Sequence, residues 1–327
     1  MTLEGRPLVT ISLADVERAR ALTAPHLHRT PMLTSRTLGG RIGAIAYLKA
    51  ESFQRTGSFK PRGALFAVQS LTADQRAKGI VTMSAGNAAA AIAYAASAVG
   101  VKVTVAMPES APRTKVDATR GYGAEIRFAS DMTGLRSLVQ TLQEQTGAYF
   151  LHPYDDDAMI TGHGSLGLEI LDDVPDADVV VLGVGGGGLI AGVAVAATAK
   201  RPGVRVIGVE PENAAAMRLA LDAGKPVPVS PKTIADGLAA PIAGTRNLDI
   251  VRSLVEDVVV IPDALIADGL RFLAERAKLV AEPAGAAAVG ALLAGRVRVT
   301  AGERVVAIVS GGNIDRARFA ELVVDPG

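Results

Sequence analysis

Short apolar runs alternate with amphipathic or alanine-rich segments along most of the chain. The apolar runs predict strands at residues 44–48, 79–83, 101–107, 124–128, 149–151, 178–182, 204–210, 257–261 and 304–309. The segments between them predict helices at 12–22, 87–99, 112–121, 133–145, 158–169, 188–200, 264–279 and 284–293. This alternation predicts an α/β fold whose open parallel sheets are covered by helices on both faces.

The pattern falls into two series, one before and one after residue 158. Neither a Pro/Ser-rich linker nor a repeat of fixed period separates them. The chain has 327 residues, a length that allows two domains. We therefore expect two α/β units that face each other across a cleft.

Composition excludes several classes of function. The formal net charge is +1, which argues against nucleic acid or a membrane surface as a partner selected by bulk charge. The chain has no cysteine, so disulfides and thiolate chemistry are excluded, and its four histidines lack zinc-site spacing. No apolar run is long enough to span a bilayer, and the first residues lack an apolar signal core. We expect a soluble cytoplasmic protein.

Lys60 stands where a polar, Gly-containing segment runs into a predicted helix. Ser58 is expected to cap that helix, and Pro61 is tolerated because it falls in the first turn. A lysine amine held there and partly desolvated has a lowered pKa and becomes a usable nucleophile or base. The same residues also fit a solvated surface lysine, so this segment alone leaves both interpretations open.

A second candidate site is the glycine run at residues 183–188, between a predicted strand and a predicted helix. Its N–H groups and the helix N-terminus are suited to a phosphate group. The spacing of Gly183, Gly185 and Gly188 also matches the dinucleotide fingerprint, and Glu210 lies at a suitable distance for a ribose contact. A nicotinamide-dependent oxidoreductase is therefore an alternative from another class.

Four segments together resemble fold-type II pyridoxal-phosphate enzymes. The sequence Thr-Gly-Ser-Phe-Lys-Pro-Arg-Gly at 56–63 resembles the cofactor-lysine motif, and Ser-Ala-Gly-Asn at 84–87 resembles the substrate-carboxylate loop. The four glycines at 185–188 resemble the phosphate loop, and Ser-Gly-Gly-Asn at 310–313 resembles the segment beside the pyridine nitrogen. Further family motifs occur in the same order over nearly the whole chain, and the serine/threonine dehydratases and serine racemases are the most similar members.

The resemblance implies a role for each motif. Lys60 would form the Schiff base with pyridoxal 5′-phosphate and remove the substrate Cα proton. The implied cofactor-binding residues are Lys60, Phe59, Asn87, Gly185, Gly186, Gly187, Gly188, Glu282 and Ser310. The implied substrate-binding residues are Ser84, Ala85, Gly86, Asn87 and His163. Phe59 is expected either to shield the cofactor ring or to be an ordinary core residue. The resemblance also implies a large cofactor-binding domain of residues 1–66 plus 159–327, and a small substrate-loop domain of residues 67–158.

The chain departs from the family pattern at several positions. Ala88 and Ala90 replace the usual His and Gln of the carboxylate loop, so we expect the pocket to admit a bulkier or more apolar β-substituent. His163 replaces the usual Gln and is expected either to supply the missing polar group or to be structural. Ala85 stands where related racemases carry a serine, which makes racemisation a minor activity. For a divalent cation, Glu210 and Ala214 supply two family ligands, but Ala216 replaces the Asp, so we expect weak or no metal binding.

The resemblance implies a pyridoxal-phosphate-dependent lyase that converts a β-hydroxy amino acid, L-threonine or L-serine by default, into a 2-oxo acid and ammonia. The alternatives within the fold are a bulkier β-hydroxy substrate and β-replacement by an added nucleophile. A nicotinamide oxidoreductase and a non-catalytic binder are alternatives of other classes. We expect a homodimer that binds a small amino-acid substrate.

Overall fold

A computed structural model of the chain describes residues 10–111 and 113–324. Predictions that fall on Pro112, or on the outermost residues 1–9 and 325–327, lie outside the described residues. Ser12 caps the first helix as predicted, because its hydroxyl accepts the Asp15 N–H while the Asp15 carboxylate accepts the Ser12 N–H.

The described residues form ten strands in two sheets. The strands are β1 Met32–Thr34, β2 Ile45–Ala50, β3 Ile80–Met83, β4 Val103–Pro108, β5 Glu125–Ala129, β6 Tyr149–Phe150, β7 Val179–Gly183, β8 Arg205–Pro211, β9 Asp257–Ile261 and β10 Arg304–Val309. The six-stranded sheet has the order β1-β2-β10-β7-β8-β9, and the four-stranded sheet has the order β5-β4-β3-β6. All pairings are parallel except that of β1 with β2. The predicted α/β fold with open parallel sheets is confirmed.

The α-helices are α1 Leu13–Thr23, α2 Arg36–Ile42, α3 Pro61–Gln69, α4 Ala73–Lys78, α5 Asn87–Ala98, α6 Arg113–Gly121, α7 Met132–Thr146, α8 Asp157–Asp173, α9 Gly188–Lys200, α10 Ala216–Ala223, α11 Thr245–Leu254, α12 Asp263–Phe272, α13 Pro283–Leu293 and α14 Arg316–Val323. The predicted helix at 264–279 is shorter than expected. It continues beyond α12 only as a π-turn over Leu273–Ala277, and Lys278 ends it in the left-handed region at φ 58°.

Glycines bring α3, the helix that follows Lys60, into close contact with α8. A methyl group on Gly162 of α8 would lie 2.7 Å from the Cα of Gly63 on α3. There is no room for such a methyl group, because the backbones of α3 and α8 pack directly on each other. This packing fixes where α3 begins, and therefore where Lys60 lies.

A buried ionic cluster lies under the same helix. The guanidinium of Arg62 donates to both carboxylate oxygens of Glu51, at 2.7 and 2.8 Å, and lies 2.9 Å from Glu169. Lys49 Nζ donates to Glu169 at 2.7 Å and to Asp173 at 3.1 Å. Because each buried charge has an opposite partner, the cluster tolerates burial, although loss of one member would leave the others uncompensated.

In the part of the chain that the structure describes, no helix combines the length and the apolar character needed to cross a membrane.

Candidate active site

The carboxyl ends of β3, β4, β7 and β10 and the segment before α3 line one cavity of about 390 Å³. Parallel strands end at the same edge of a sheet, where ligands of open α/β folds bind. The predicted site residues that line it are Phe59, Lys60, Ser84, Ala85, Gly86, Asn87, Gly185, Gly186, Gly187, Gly188, Glu282 and Ser310. The structure thus brings together every predicted site residue except His163.

Lys60 is the N-cap residue of α3 and its side chain lines the cavity. Its Nζ lies 4.9 Å from the centroid of the Phe59 ring. Loss of hydration lowers the pKa of Lys60 to about 8, and the nearby Glu282 carboxylate opposes part of that decrease. A lysine in this state has a larger neutral fraction at pH 7 than a surface lysine, and Lys60 is half-buried at the cavity wall rather than on the outer surface.

The prediction that Ser58 caps α3 is also wrong. Ser58 is extended, with φ −159° and ψ 167°, and forms an isolated antiparallel bridge with Gly311. Next to it, Phe59 N–H donates to Ser310 O at 3.0 Å, and Gly312 N–H donates to Gly57 O at 2.9 Å. The segment after β10 therefore holds the Lys60 loop through strand-like backbone hydrogen bonds. The Ser58 hydroxyl makes no cap hydrogen bond to α3.

The glycine run forms the turn from β7 into α9. The first N–H groups of a helix have no partner within it, and they carry the positive end of the helix dipole, so the start of α9 at Gly188 suits an anion. Glycine is required here for packing as well. A methyl group on Gly186 would overlap the Tyr154 ring, one on Gly188 would lie 2.7 Å from Tyr154 O, and Gly187 has φ 97°.

The Ser84–Asn87 loop runs from β3 into α5, whose first residue is Asn87. Gly86 is the N-cap residue, and the Ser84 hydroxyl accepts the Gly86 N–H at 3.2 Å. The loop therefore directs a second helix N-terminus at the cavity. Two anion-binding ends, those of α5 and α9, face the same space as the Lys60 amine.

Asn87 and Glu282 are in contact across the cavity wall. Asn87 Nδ2 donates to Glu282 Oε1 at 2.6 Å, whereas Glu282 Oε2 is buried and has no partner among the described residues. Burial raises the pKa of the Glu282 carboxyl to about 7, and the negative charge of Asp236 acts in the same direction. Glu282 is thus a buried carboxyl group that is only half satisfied.

Ser310 directly follows β10 and is buried at the floor of the cavity. Its hydroxyl lies 3.5 Å from Ala284 O, a long contact that leaves the oxygen free to act as an acceptor. No carboxylate takes this position, so a ring nitrogen bound here would face a neutral group.

His163 does not reach the cavity. It is fully buried in α8, and its ring meets the edge of Phe59 with centroids 4.9 Å apart. Neither ring nitrogen has a partner among the described residues, and burial holds the pKa of His163 well below its ordinary value. The expected contact between His163 and the substrate is therefore corrected, because Phe59 stands between this side chain and the site.

The cavity-wall residues that sequence reasoning missed include four with polar side chains: Lys115, His152, Tyr154 and Asp236. His152 Nδ1 accepts the Asp155 N–H at 2.9 Å, which leaves Nε2 as the protonated nitrogen of the neutral ring. Lys115 of α6 forms an ion pair with Asp236 across the mouth of the cavity. His152 and Tyr154 lie in a His-Pro-Tyr-Asp segment at residues 152–155, which follows a predicted strand and could have marked them, whereas nothing local marks Lys115.

Glu210 is not available as a ribose ligand. Its two carboxylate oxygens accept the N–H groups of Met217 and Arg218, each at 2.8 Å, at the start of α10. The side chain is fully buried and caps that helix. The dinucleotide interpretation of the glycine run is thus contradicted. Among the described residues no group of three or more His, Cys, Asp or Glu side chains is placed to hold a metal ion, and weak or absent metal binding stays a prediction.

The cavity fits pyridoxal 5′-phosphate on its own geometry. It supplies an amine at Lys60, an anion site at the start of α9, an aromatic ring at Phe59 and a neutral hydroxyl at Ser310. The buried Oε2 atom of Glu282 in the cavity wall has no hydrogen-bond partner among the described residues, so it is available for a further contact.

Comparisons with known proteins agree with this fit. The family described as "Pyridoxal-phosphate dependent enzyme" matches residues 23–311. The chain is 41% identical over 319 residues to an L-threonine ammonia-lyase of Thermotoga maritima, covering 97% of this chain and 79% of the relative. It is 38% identical over 322 residues to the catabolic L-threonine dehydratase TdcB of Staphylococcus aureus, covering 96% and 92%.

Two solved structures are similar over nearly their whole length. Maize serine racemase superposes with a TM-score of 0.91 at 36% identity, covering 95% of this chain and 96% of that chain. A threonine deaminase from T.th. superposes with a TM-score of 0.86 at 38% identity, covering 93% and 99%.

Proposed function

The chain belongs to the pyridoxal-phosphate-dependent enzyme family, and we propose that it is a lyase that eliminates water from a β-hydroxy amino acid. The enamine that is released then takes up water and hydrolyses to a 2-oxo acid and ammonia. L-Threonine and L-serine are the first substrates to test, because the relatives at 38–41% identity are named for threonine. One observation carries the proposal. The Lys60 amine faces a cavity into which the N-termini of α5 and α9 point, two positions that suit a carboxylate and a phosphate.

Each residue has a role that its position supports. The loop Gly185, Gly186, Gly187 and Gly188 would hold the phosphate at the start of α9, and the Ser310 hydroxyl would face the ring nitrogen. The bound cofactor supplies a temporary sink for the electrons of the Cα–H bond. The amine of Lys60 removes the Cα proton, a task for which its lowered pKa is suited.

The substrate carboxylate binds at Ser84, Ala85, Gly86 and Asn87, where α5 begins. This loop has no side-chain hydroxyl at Ala85, so this position offers no acid to return a proton to the opposite face of Cα. Elimination is therefore favoured over racemisation, although two of the similar solved structures are serine racemases. The small side chain of Ala88 at the wall leaves a bulkier β-substituent as the second candidate substrate class.

Three further features are part of the proposal. The six-stranded sheet and the four-stranded sheet belong to two domains, of residues 1–66 plus 159–327 and residues 67–158 respectively. The protein acts in the cytoplasm. It forms a homodimer.

Ammonia release from a panel of β-hydroxy amino acids tests the proposal. L-Threonine, L-serine and substrates with larger β-substituents are each incubated with the holoenzyme, with and without an added thiol. We expect ammonia and a 2-oxo acid from at least one of them, loss of this activity in Lys60→Ala, and full activity in the control Lys225→Ala, whose side chain is exposed. Turnover that survives in Lys60→Ala contradicts the assigned base, and a thiol adduct formed in place of ammonia indicates β-replacement.

A further inference from the structure

Asn313 joins three segments that meet at the cavity. Its Nδ2 donates to Thr56 O at 2.7 Å, in the loop that carries Lys60, and to Asn87 Oδ1 at 2.9 Å, in the carboxylate loop. Asn313 itself follows Ser310 by three residues. One amide therefore connects the Lys60 loop, the carboxylate loop and the ring-nitrogen segment.

These contacts fix which way each amide points. Thr56 O is a backbone carbonyl and can only accept, so the group of Asn313 that faces it must be the NH₂ group. That NH₂ group also faces Asn87, which must therefore present its oxygen. The NH₂ group of Asn87 is then directed to the carboxylate of Glu282, again an acceptor, at 2.6 Å. The Thr56 carbonyl thus fixes the orientation of the Asn313 amide, which in turn fixes the orientation of the Asn87 amide.

One N–H of the Asn87 side-chain amide is not used by these hydrogen bonds. An amide NH₂ has two donors, and Glu282 takes one of them. The other belongs to a residue whose side chain is only half-buried and lines the cavity. We propose that Asn313 is a positioning residue that holds the Asn87 amide so that this second N–H points at the ring oxygen of the bound cofactor. The inference rests on the proposed function only in requiring that the cofactor binds in this cavity.

The Thr56 backbone gives independent support. Thr56 adopts φ 60° and ψ 11°, a left-handed conformation that is unfavourable for a β-branched residue. Gly57 follows it at φ 73°, and a methyl group on Gly57 would lie 3.0 Å from Asn313 Cγ. The strained Thr56 conformation therefore directs the Thr56 carbonyl at Asn313. At position 57, no side chain larger than hydrogen fits beside that contact.

Substitution by aspartate reverses the pattern without changing the size of the side chain. An aspartate at position 313 cannot donate to Thr56 O or to Asn87 Oδ1, so the Asn87 amide has to rotate by half a turn to donate to it. The second N–H of Asn87 then leaves the cofactor oxygen. With the cofactor bound, the Asn87 N–H would stabilise an unprotonated ring oxygen; without that donor the protonated oxygen would be favoured, and the absorbance would shift from the visible to the near-ultraviolet band.

Absorbance spectra of the reconstituted holoenzymes test the proposal. We expect the visible-to-near-ultraviolet ratio of Asn313→Asp to fall by a factor of roughly 2–10 at pH 7.5, with a smaller decrease in Asn313→Ala, whose Asn87 amide is free but not reversed. The matched control is Asn213→Asp, the same chemical change at an exposed position outside the cavity. If Asn313→Asp does not fold, Asn313→Ala carries the test.

An unchanged band ratio in the Asn313 variants overturns the proposal, as does an equal decrease in Asn213→Asp. A lower melting temperature with a wild-type band ratio also overturns it, because it would show that Asn313 is only structural. Failure of the wild-type holoenzyme to release ammonia from any amino acid, with the visible band intact, counts against the proposed function alone.

Discussion

Replacement of His163 by leucine should stabilise the protein at neutral pH, and more so as the pH falls. The imidazole is fully buried, and neither nitrogen has a partner among the described residues. An unsatisfied buried polar group costs about 1–3 kcal/mol, and the neutral ring carries both a donor and an acceptor. Leucine removes both groups, while its different shape costs up to about 1.5 kcal/mol in repacking. The expected net gain at pH 7.5 is on the order of 1 kcal/mol.

The pH dependence follows from the lowered pKa of His163. Below its ordinary pKa of about 6.5 the imidazole binds a proton in the unfolded chain but not in the folded protein, because burial holds the folded pKa well below that value. The unfolded state then binds more protons, so stability falls as the pH falls. Between pH 7.5 and 5.5 this group alone lowers the free energy of unfolding by about 1.4 kcal/mol. His163→Leu does not undergo this loss.

Urea unfolding of wild type, His163→Leu and His163→Gln at pH 7.5 and 5.5 measures both effects. Contributions from other titrating groups cancel in the difference between each variant and the wild type. Both variants should gain the additional 1.4 kcal/mol or so at the lower pH, since neither titrates there. Only the leucine variant should also show the gain at pH 7.5, because glutamine keeps buried polar atoms. A difference between His163→Leu and wild type that is the same at both pH values would refute the reasoning.

Two further predictions concern the packing around the site. Gly186→Ala places a methyl group inside the Tyr154 ring, so we expect a loss of about 1–3 kcal/mol in the free energy of unfolding and weaker cofactor binding, measured by fluorescence titration; unchanged binding would show that the ring moves freely. Arg62→Met leaves Glu51 and Glu169 buried with too little positive charge, so we expect the free energy of unfolding, measured with urea, to fall by about 3–5 kcal/mol. A decrease below about 1 kcal/mol would mean that water reaches the cluster.

The sequence predicted the strands well because each is a short buried apolar run bounded by glycine, proline or polar residues. The predicted strands at 257–261 and 304–309 coincide with β9 and β10. Short or less apolar elements were missed, such as β1, which has one exposed and two half-buried residues and therefore no apolar signature. Twelve residues of the cavity wall were predicted as well, because glycine-rich and Ser/Asn-containing loops after strands are locally recognisable.

The failures at the site depend on contacts distant in sequence. Ser58 looks like a helix cap within its own segment, but its backbone pairs with Gly311 instead. His163 stands in a motif beside the site, yet its side chain lies behind Phe59, and only the packing of α8 on α3 decides that direction. Lys115 belongs to an ordinary amphipathic helix, and its approach to Asp236 depends on how the two sheets are placed. Local pattern carries no information about such partners.

The position of β10 has a consequence for the synthesis of the protein. It is the last of the described strands along the chain, yet it lies inside the six-stranded sheet, between β2 and β7. The Lys60 loop is held by the segment that follows this strand. At roughly 5–20 residues per second, the ribosome adds Ser310 on the order of tens of seconds after Lys60. During that interval the reactive amine has neither its loop partners nor a complete cofactor pocket, so a nascent chain cannot begin the chemistry before its fold is finished.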